Sequence, residues 1–230
     1  MMPWVAGVDG AKAGWLAVLA PFEGGGLEAA LAPRWTDLPL ARAVMVGVDM
    51  PIGLAESGPR ACDSAARWRL PRDRKPSVFP PPRRPQLACA TWAEANARGK
   101  ALDGKGISRQ AWNLAPKIRE LDAALAPADQ ARVREVHPEL VFLRLNDGRP
   151  VPRKISAEGR ALRLELLARA GFAGIEALMN RFPRRDAGPD DVLDAAACAL
   201  AARDMLTGRA TRLPPEPPLD ARSLRMEIWF

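Results

Sequence analysis

The sequence feature that most constrains the fold is a dense apolar run, AVMVGV, at residues 43–48, which Asp49, Met50 and Pro51 follow. Hydrophobicity that continues without alternation is typical of a strand covered on both faces, as in the centre of a layered α/β sheet. Pro51 ends the run because proline cannot donate a hydrogen bond to the ladder. The run therefore predicts a central strand with Asp49 at its end.

The N-terminal segment predicts further strands. WVAGVDG and GWLAVLA, at residues 4–10 and 14–20, are apolar runs joined by DGAKAG, whose glycines suit a hairpin turn. GLEAALAPRW, at 26–35, is a candidate third strand, and Thr36 is a plausible cap for a short helix after it. Asp9 lies at the end of the first of these strands.

The segment at about residues 57–106 breaks this regular pattern. FPPPRRPQ, at 79–86, cannot form a regular helix or an inner strand, and short helix candidates flank it. Long irregular insertions in a compact domain are commonly functional. The next segment, at 107–126, predicts a helix with a possible kink at Pro116.

The C-terminal half predicts one more strand and several helices. ARVREVHPELVFLRL, at 131–145, reads as a strand, and the segments at 156–171, 174–182 and 188–208 read as helices. The tail could return as a strand. The fold class predicted is α/β, with a mixed five-stranded sheet flanked by helices and an insertion at 57–106 after the fourth strand. One domain over 1–230 is expected.

Composition excludes several classes of protein. No apolar run of the 230 residues reaches the roughly 18 residues that a membrane span needs, and the N-terminus has no basic leader. Cys62, Cys89 and Cys198 form no C-x-x-C pair, which argues against a zinc site and a disulfide framework. We expect a cytoplasmic protein with no membrane partner; a homodimer stays possible.

Positive charge is concentrated in one segment. The net charge is +7, and residues 60–109 contain 12 Lys and Arg against four Asp and Glu. The remaining chain is close to neutral. Such a segment could attract a polyanion such as nucleic acid, although arginines that merely solvate a surface are the alternative.

Five acids could meet at one edge of the predicted sheet. Asp9 and Asp49 end strands, Glu135 lies early in the later strand, and Asp191 and Asp194 lie one turn apart near the start of the last helix. Clustered carboxylates repel one another unless a cation sits among them, and hard oxygen ligands select Mg²⁺, Mn²⁺ or Ca²⁺. Two such ions, about 3.5–4 Å apart, can activate water for phosphodiester cleavage.

Each acid also has an ordinary structural interpretation. Asp9 precedes Gly10 and suits a turn, Asp49 could close a strand, and Asp191 could cap a helix. Glu135 could pair with a nearby arginine. Asp194 is harder to explain in this way, because it lies inside an Ala-rich apolar face. The functional interpretation therefore depends on the set of acids together.

The ordered set of motifs resembles one family. GVDGAKAGW, VGVDMPIGL, RACDSAAR, SVFPPP, ISRQAWNLAPKIRELD, EVHPELVF and DDVLDAAACALAA, from about residue 7 to 202, resemble the predicted RNase H-like nucleases numbered 429 among the domains of unknown function. The resemblance implies an RNase H-like fold, with three antiparallel strands followed by strands alternating with helices. It also implies acids at Asp9, Asp49, Glu135 and the last helix. That helix is similar to the final helix of Holliday-junction resolvases, which makes Asp191 and Asp194 both candidates.

Other residues are candidates for contacts with substrate. The candidate phosphate contacts are Arg60, Arg67, Arg83, Arg84 and Lys117. Gln110, seven residues before Lys117, is a further candidate for substrate binding. Trp112 could stack on a base or simply pack in the core. His137, two residues after Glu135, could assist proton transfer or phosphate binding, although a structural histidine is the alternative.

We expect a nuclease or phosphodiesterase that depends on Mg²⁺ or Mn²⁺ and acts on DNA or RNA through metal-activated water. Asp9, Asp49, Glu135, Asp191 and Asp194 would form the metal shell. Two alternatives stay open. One is a non-catalytic nucleic-acid-binding protein on the same fold; the other is a phosphotransferase or hydrolase that acts on a small phosphorylated molecule.

Overall fold

The structure is a computed structural model that describes residues 3–230. These residues form two compact units. Unit 1 comprises the chain up to Met50 together with Arg132–Arg212 and Trp229–Phe230, and unit 2 comprises Pro51–Ala131 and Leu213–Ile228. The predicted insertion at 57–106 lies within unit 2, which extends beyond it on both sides.

Unit 1 contains a mixed five-stranded sheet, which confirms the predicted α/β class. Strand order is β3-β2-β1-β4-β5, where β1 pairs antiparallel with β2, β2 antiparallel with β3, and β4 runs parallel to both β1 and β5. The strand bounds are β1 Trp4–Ala11, β2 Gly14–Pro21, β3 Glu28–Ala32, β4 Ala43–Val48 and β5 Val133–Glu135. Thr36, predicted to cap a helix, instead lies inside a 3-10 turn, Trp35–Asp37.

The parallel register brings the ends of three strands together. Val8 of β1 is opposite Val48 of β4, and Val48 is opposite Glu135 of β5. The ladder continues one step further, because Asp49 donates its backbone N–H to the carbonyl of Val8 at 2.9 Å. Asp9, Asp49 and Glu135 are therefore neighbours across one edge of the sheet.

Helix α8, Pro189–Leu206, lies against β1, β2 and β4. Two strand glycines allow this close approach. A Cβ atom added at Gly7 would lie 1.9 Å from the carbonyl oxygen of Ala195, and one added at Gly47 would lie 2.5 Å from that of Cys198. Real Cβ atoms cannot come this close to backbone, so these positions require glycine. The small side chains of α8 also allow its backbone to pack directly against β1 and β4.

The predicted strand at 131–145 is wrong beyond its first residues. Val133–Glu135 forms β5, the backbone stays extended through Val136 and His137, and Pro138–Leu145 forms helix α5. Pro138 is favourable at the first turn of a helix, because its missing N–H would have no partner there. The apolar residues that follow recur at helical spacing, and Leu140, Val141 and Phe142 are buried.

The remaining predicted helices of unit 1 are confirmed as α6, Ala157–Arg169, and α7, Ile175–Leu178. Ser156 caps α6 by accepting a hydrogen bond from Gly159 at 3.0 Å. Arg163 of α6 is fully buried and pairs at 2.6 Å with Glu139 of α5. This ion pair links the two helices inside the core.

Unit 2 combines helices with irregular segments, in agreement with the largely helical and irregular insertion that the sequence predicts. Its α-helices are α1 Ala61–Arg69, α2 Arg84–Leu87, α3 Trp92–Asp103 and α4 Arg109–Ala124. Thr91 and Glu94 form a capping box at the start of α3. Helix α4 continues through Pro116. The C-terminal part of the chain adds two-residue strands, β6 Arg212–Leu213 and β7 Ile228–Trp229. Among residues 3–230, no helix has the length and hydropathy that a membrane span requires.

Candidate metal centre

Three carboxylates from distant parts of the sequence meet in unit 1. Asp9 comes from β1, Asp49 follows β4, and Asp194 lies in the second turn of α8. One oxygen from each lies within 4.8 Å of the others. The register of β1 and β4 brings the first two together, and the glycine contacts beneath α8 bring the third. We call these residues the three-acid cluster.

Asp194 is buried and Asp9 and Asp49 are half-buried, and this partial removal from water raises the pKa values of Asp9 and Asp49. Burial, then the charges of Asp49 and Asp194, raise the pKa of Asp9 well above its usual range. Burial, then the charge of Asp194, raise the pKa of Asp49 to about 8. The backbone N–H of Gly10 donates a hydrogen bond to Asp9 Oδ1 at 2.6 Å and so orients the Asp9 carboxylate. Without a cation, two acids of the cluster resist ionisation.

Lys154 supplies a positive charge to the cluster, and sequence reasoning missed it. Its ammonium lies 2.5 Å from Asp194 Oδ2. Burial alone would lower the pKa of Lys154, but Asp194, Asp9 and Asp49 outweigh it and raise that pKa above its usual value. Lys154 belongs to the loop before α6, and no local motif connects that loop with the acids. Lys154 is recognised as part of the site only from its contact with Asp194 in the folded structure.

The structure distinguishes the two acids of α8. Asp194, 4% exposed, belongs to the three-acid cluster. Asp191 Oδ2 instead accepts the backbone N–H of Gly188 at 2.8 Å, which is the capping contact that its position allowed. Asp191 is still close enough for its charge to raise the pKa of Asp9. Its own pKa is raised by burial, although the Gly188 hydrogen bond and Lys154 oppose this.

Glu135 and His137 flank the cluster without joining it. Glu135 is buried at the end of β5, and its charge contributes to the raised pKa of Asp49. His137 lies beyond the strand, at the residue that precedes helix α5, and its backbone N–H donates to the carbonyl of Trp229 at 3.2 Å. The backbone is still extended at His137, so the expectation that His137 shares a face with Glu135 stays a prediction.

The three-acid cluster has the dimensions of a divalent-cation site. Oxygen ligands lie about 2.1 Å from Mg²⁺ and about 2.3–2.6 Å from Ca²⁺, so two oxygens of one shell are at most about 4.2 Å or about 5.2 Å apart. The spread of 4.8 Å falls between these limits. A divalent cation at this position would take over the neutralisation that Lys154 provides.

Two of the arginines predicted to contact phosphate are buried in unit 2. Arg60, 3% exposed, pairs with Asp63 at 2.6 Å and donates to the carbonyls of Ile52 and Gly53. Arg83, 7% exposed, pairs with Asp103 at 2.7 Å. These guanidinium groups hold loops to helices. The prediction that they contact phosphate is not supported by this geometry, since burial leaves almost no surface for a ligand.

The other predicted contacts differ in their surroundings. Arg84 bridges Asp122 and Asp220, and Arg67 donates to the carbonyl of Val78 at 2.7 Å. Trp112 packs beside the buried cluster of Ala95, Ile107 and Ala111, which supports the packing interpretation that the sequence left open. Gln110 is exposed, and Lys117 is half-buried in the middle of α4.

The fold and the site together define a class of protein: an α/β protein with a mixed five-stranded sheet and a cluster of buried and half-buried acids at the edge where its parallel strands end. The sequence model of the family described as "Protein of unknown function (DUF429)" matches residues 7–219. The chain belongs to this family. Neither a curated protein nor a solved structure matches the chain significantly.

Proposed function

We propose that the protein is a nuclease or phosphodiesterase of RNase H-like type that depends on Mg²⁺ or Mn²⁺ and acts on nucleic acid. The observation that carries the proposal is the three-acid cluster, in which Asp9, Asp49 and Asp194 oxygens converge within 4.8 Å. The observed sheet has three antiparallel strands followed by strands that alternate with helices. This is the arrangement that the resemblance to RNase H-like nucleases implies, and it supports the proposed type of enzyme.

The acids are arranged for ligation rather than for general acid–base work alone. A bound divalent cation supplies positive charge that lowers the pKa of a coordinated water and neutralises phosphate oxygens. Asp9, Asp49 and Asp194 provide the oxygen ligands, and the charge of Glu135 strengthens the local field that attracts a cation. Lys154 holds Asp194 in place at 2.5 Å. The chain's own contribution is thus to fix ligands at a spacing that suits one ion.

The charge distribution supports nucleic acid as the substrate class. The surplus of eight positive charges over residues 60–109 lies entirely in unit 2. Several of these charges are neutralised in ion pairs, among them those of Arg60, Arg83 and Arg84. The remaining basic residues of the segment are mostly exposed or half-buried, and such residues attract phosphate backbones.

The test is cleavage by the purified full-length protein of labelled single-stranded, duplex and branched DNA and RNA, with Mg²⁺, with Mn²⁺ and with EDTA. We expect metal-dependent cleavage that Asp9→Asn abolishes, because the variant removes a ligand charge from the cluster. Asp190→Asn is the matched control: it removes a carboxylate from the first turn of α8, outside the three-acid cluster, and should retain cleavage.

The alternatives have distinct outcomes in the same assay. Binding of nucleic acid without cleavage under any metal condition would refute the nuclease and favour the non-catalytic protein. Release of phosphate from a small phosphorylated compound, with no cleavage of nucleic acid, would favour the small-molecule hydrolase. Cleavage that survives Asp9→Asn would mean that the three-acid cluster is not the active centre.

A further inference from the structure

One large aromatic side chain of unit 2 lies almost wholly in solvent. Trp68, in the last turn of α1, is 83% exposed, the highest value among the exposed large hydrophobic residues described. Helix geometry explains its direction. Helix α1 buries Cys62 and Ala66, and Leu70 after it is also buried, so a residue two positions from Ala66 and Leu70 lies on the outer face. Trp68 therefore does not contribute to the core.

The surroundings of Trp68 are strongly basic. The nine residues RWRLPRDRK at 67–75 contain five basic residues and one acid, Asp73. The Lys75 ammonium lies 5.2 Å from the centroid of the Trp68 ring. Arg69 and Arg72 are exposed, and Arg74 is half-buried. Because Arg74 Nε lies 3.9 Å from Asp73 Oδ2, it is left out of the ligand-facing set, and we call Trp68, Arg69, Arg72 and Lys75 the Trp68 surface.

Backbone contacts hold this surface in shape. The Arg67 guanidinium donates to the carbonyl of Val78 at 2.7 Å, which fastens the segment after α1 to the helix itself. Within that segment, Arg74 donates its N–H to the carbonyl of Pro71 at 2.8 Å, and Val78 donates to that of Lys75 at 3.2 Å. Ring and ammonium are thus positioned before any ligand arrives, which lowers the entropic cost of binding.

We propose that the Trp68 surface binds single-stranded nucleic acid by stacking a base on the Trp68 ring and pairing phosphates with the surrounding arginines and Lys75. Exposed aromatic rings within basic surroundings are the usual platform for single strands, because every unpaired base offers a face for stacking. The bases of a duplex are already stacked on one another. The observed combination of ring and charge therefore favours the single-stranded form.

The identification of this strand as the substrate rests on the proposed function, whereas binding to the Trp68 surface does not. Binding is therefore measured in EDTA, where a metal-dependent nuclease is inactive. The full-length protein is titrated into fluorescein-labelled single-stranded DNA and RNA of about 15 nucleotides, close to the upper site sizes of single-strand binders, and into a duplex of equal length. Fluorescence anisotropy gives each dissociation constant.

Two variants examine the ring. We expect Trp68→Ala to weaken single-strand binding about tenfold and duplex binding less than about twofold, because only the unpaired base stacks. Trp68→Phe, which keeps an aromatic face, should stay within about threefold of the unmodified protein. Leu219→Ala, another exposed apolar residue of unit 2, is the matched control and should change neither constant.

A charge variant examines the arginines. Arg72→Ala should weaken single-strand and duplex binding alike and lower the salt dependence of both, whereas Arg185→Ala, with a side chain 85% exposed in unit 1, should change neither. No single-strand binding, or equal losses on single strand and duplex for Trp68→Ala, would overturn the proposal. Intact single-strand binding by a protein that cleaves nothing would leave this proposal standing and refute the nuclease.

Discussion

Replacing Asp49 by asparagine should stabilise the metal-free protein at alkaline pH. The pKa of Asp49 is raised from 3.8 to about 8, by burial first and by the charge of Asp194 next. At about 1.36 kcal/mol for each pH unit, this increase corresponds to roughly 5–6 kcal/mol of unfolding free energy lost when Asp49 ionises in the folded state. The substituted amide has the shape of the protonated acid and never ionises.

The direction follows from proton linkage. Between about pH 4 and pH 8 the folded protein keeps a proton on Asp49 that the unfolded chain has released, so stability falls as pH rises through this window. Below pH 4 both states are protonated, and the variant and the unmodified protein should be equally stable. Above pH 8 we expect the variant to be more stable by at least about 2 kcal/mol, since water entry and relaxation of the cluster reduce the full value.

The assay is urea unfolding in EDTA at a series of pH values from 4 to 9, followed by circular dichroism. Asp190→Asn is the control for loss of a carboxylate that lies outside the three-acid cluster, and its profile should follow that of the unmodified protein. Equal stability of Asp49→Asn and the unmodified protein at pH 9 would refute the reasoning. Adding Mn²⁺ should stabilise the unmodified protein at that pH and have little effect on the variant.

Three further changes have defined outcomes. Gly7→Ala should destabilise the fold by about 3 kcal/mol or more in urea unfolding, because its Cβ would meet the α8 backbone, whereas Gly26→Ala, with open space around it, should change stability by less than about 0.5 kcal/mol. Lys154→Met should tighten Mn²⁺ binding several-fold by calorimetry while it lowers the melting temperature in EDTA, because it removes the competing cation; unchanged affinity would contradict this. Arg163→Met should cost about 3–5 kcal/mol in the same unfolding assay, because it leaves Glu139 without its buried partner; a neutral effect would show that the pair is dispensable.

The first four strands of the sheet were predictable from the sequence because they are strongly apolar. The continuous apolar run at 43–48 predicted a central strand, and the turn residues at Gly10 and Gly14 predicted the hairpin. The segment at 131–145 was misread because its apolar residues fit either period. Pro138 was the signal that should have decided for a helix, since proline suits a first helical turn and interrupts a strand.

Only part of the candidate site could be predicted from the sequence. Asp9, Asp49 and Asp194 were predicted because strand ends and a helix face follow from local pattern. Lys154 was not, because its contact with Asp194 spans 40 residues and depends on the path of a loop. The burial of two predicted phosphate contacts was not predictable either, for the same reason. Sequence shows that Arg60 and Arg83 are charged, but it does not show that folding places acids beside them.

The glycine contacts beneath α8 have a consequence for recognising active relatives of this chain. The backbone of α8 packs directly on the backbone of β1 and β4. A methyl group at position 7 or 47 would therefore displace the helix and move Asp194 away from Asp9 and Asp49. A relative could thus retain every acid and still lack the convergence of Asp9, Asp49 and Asp194 on which the proposed cation site depends. Positions 7 and 47 should be inspected alongside the carboxylates when candidates are chosen for biochemical assays.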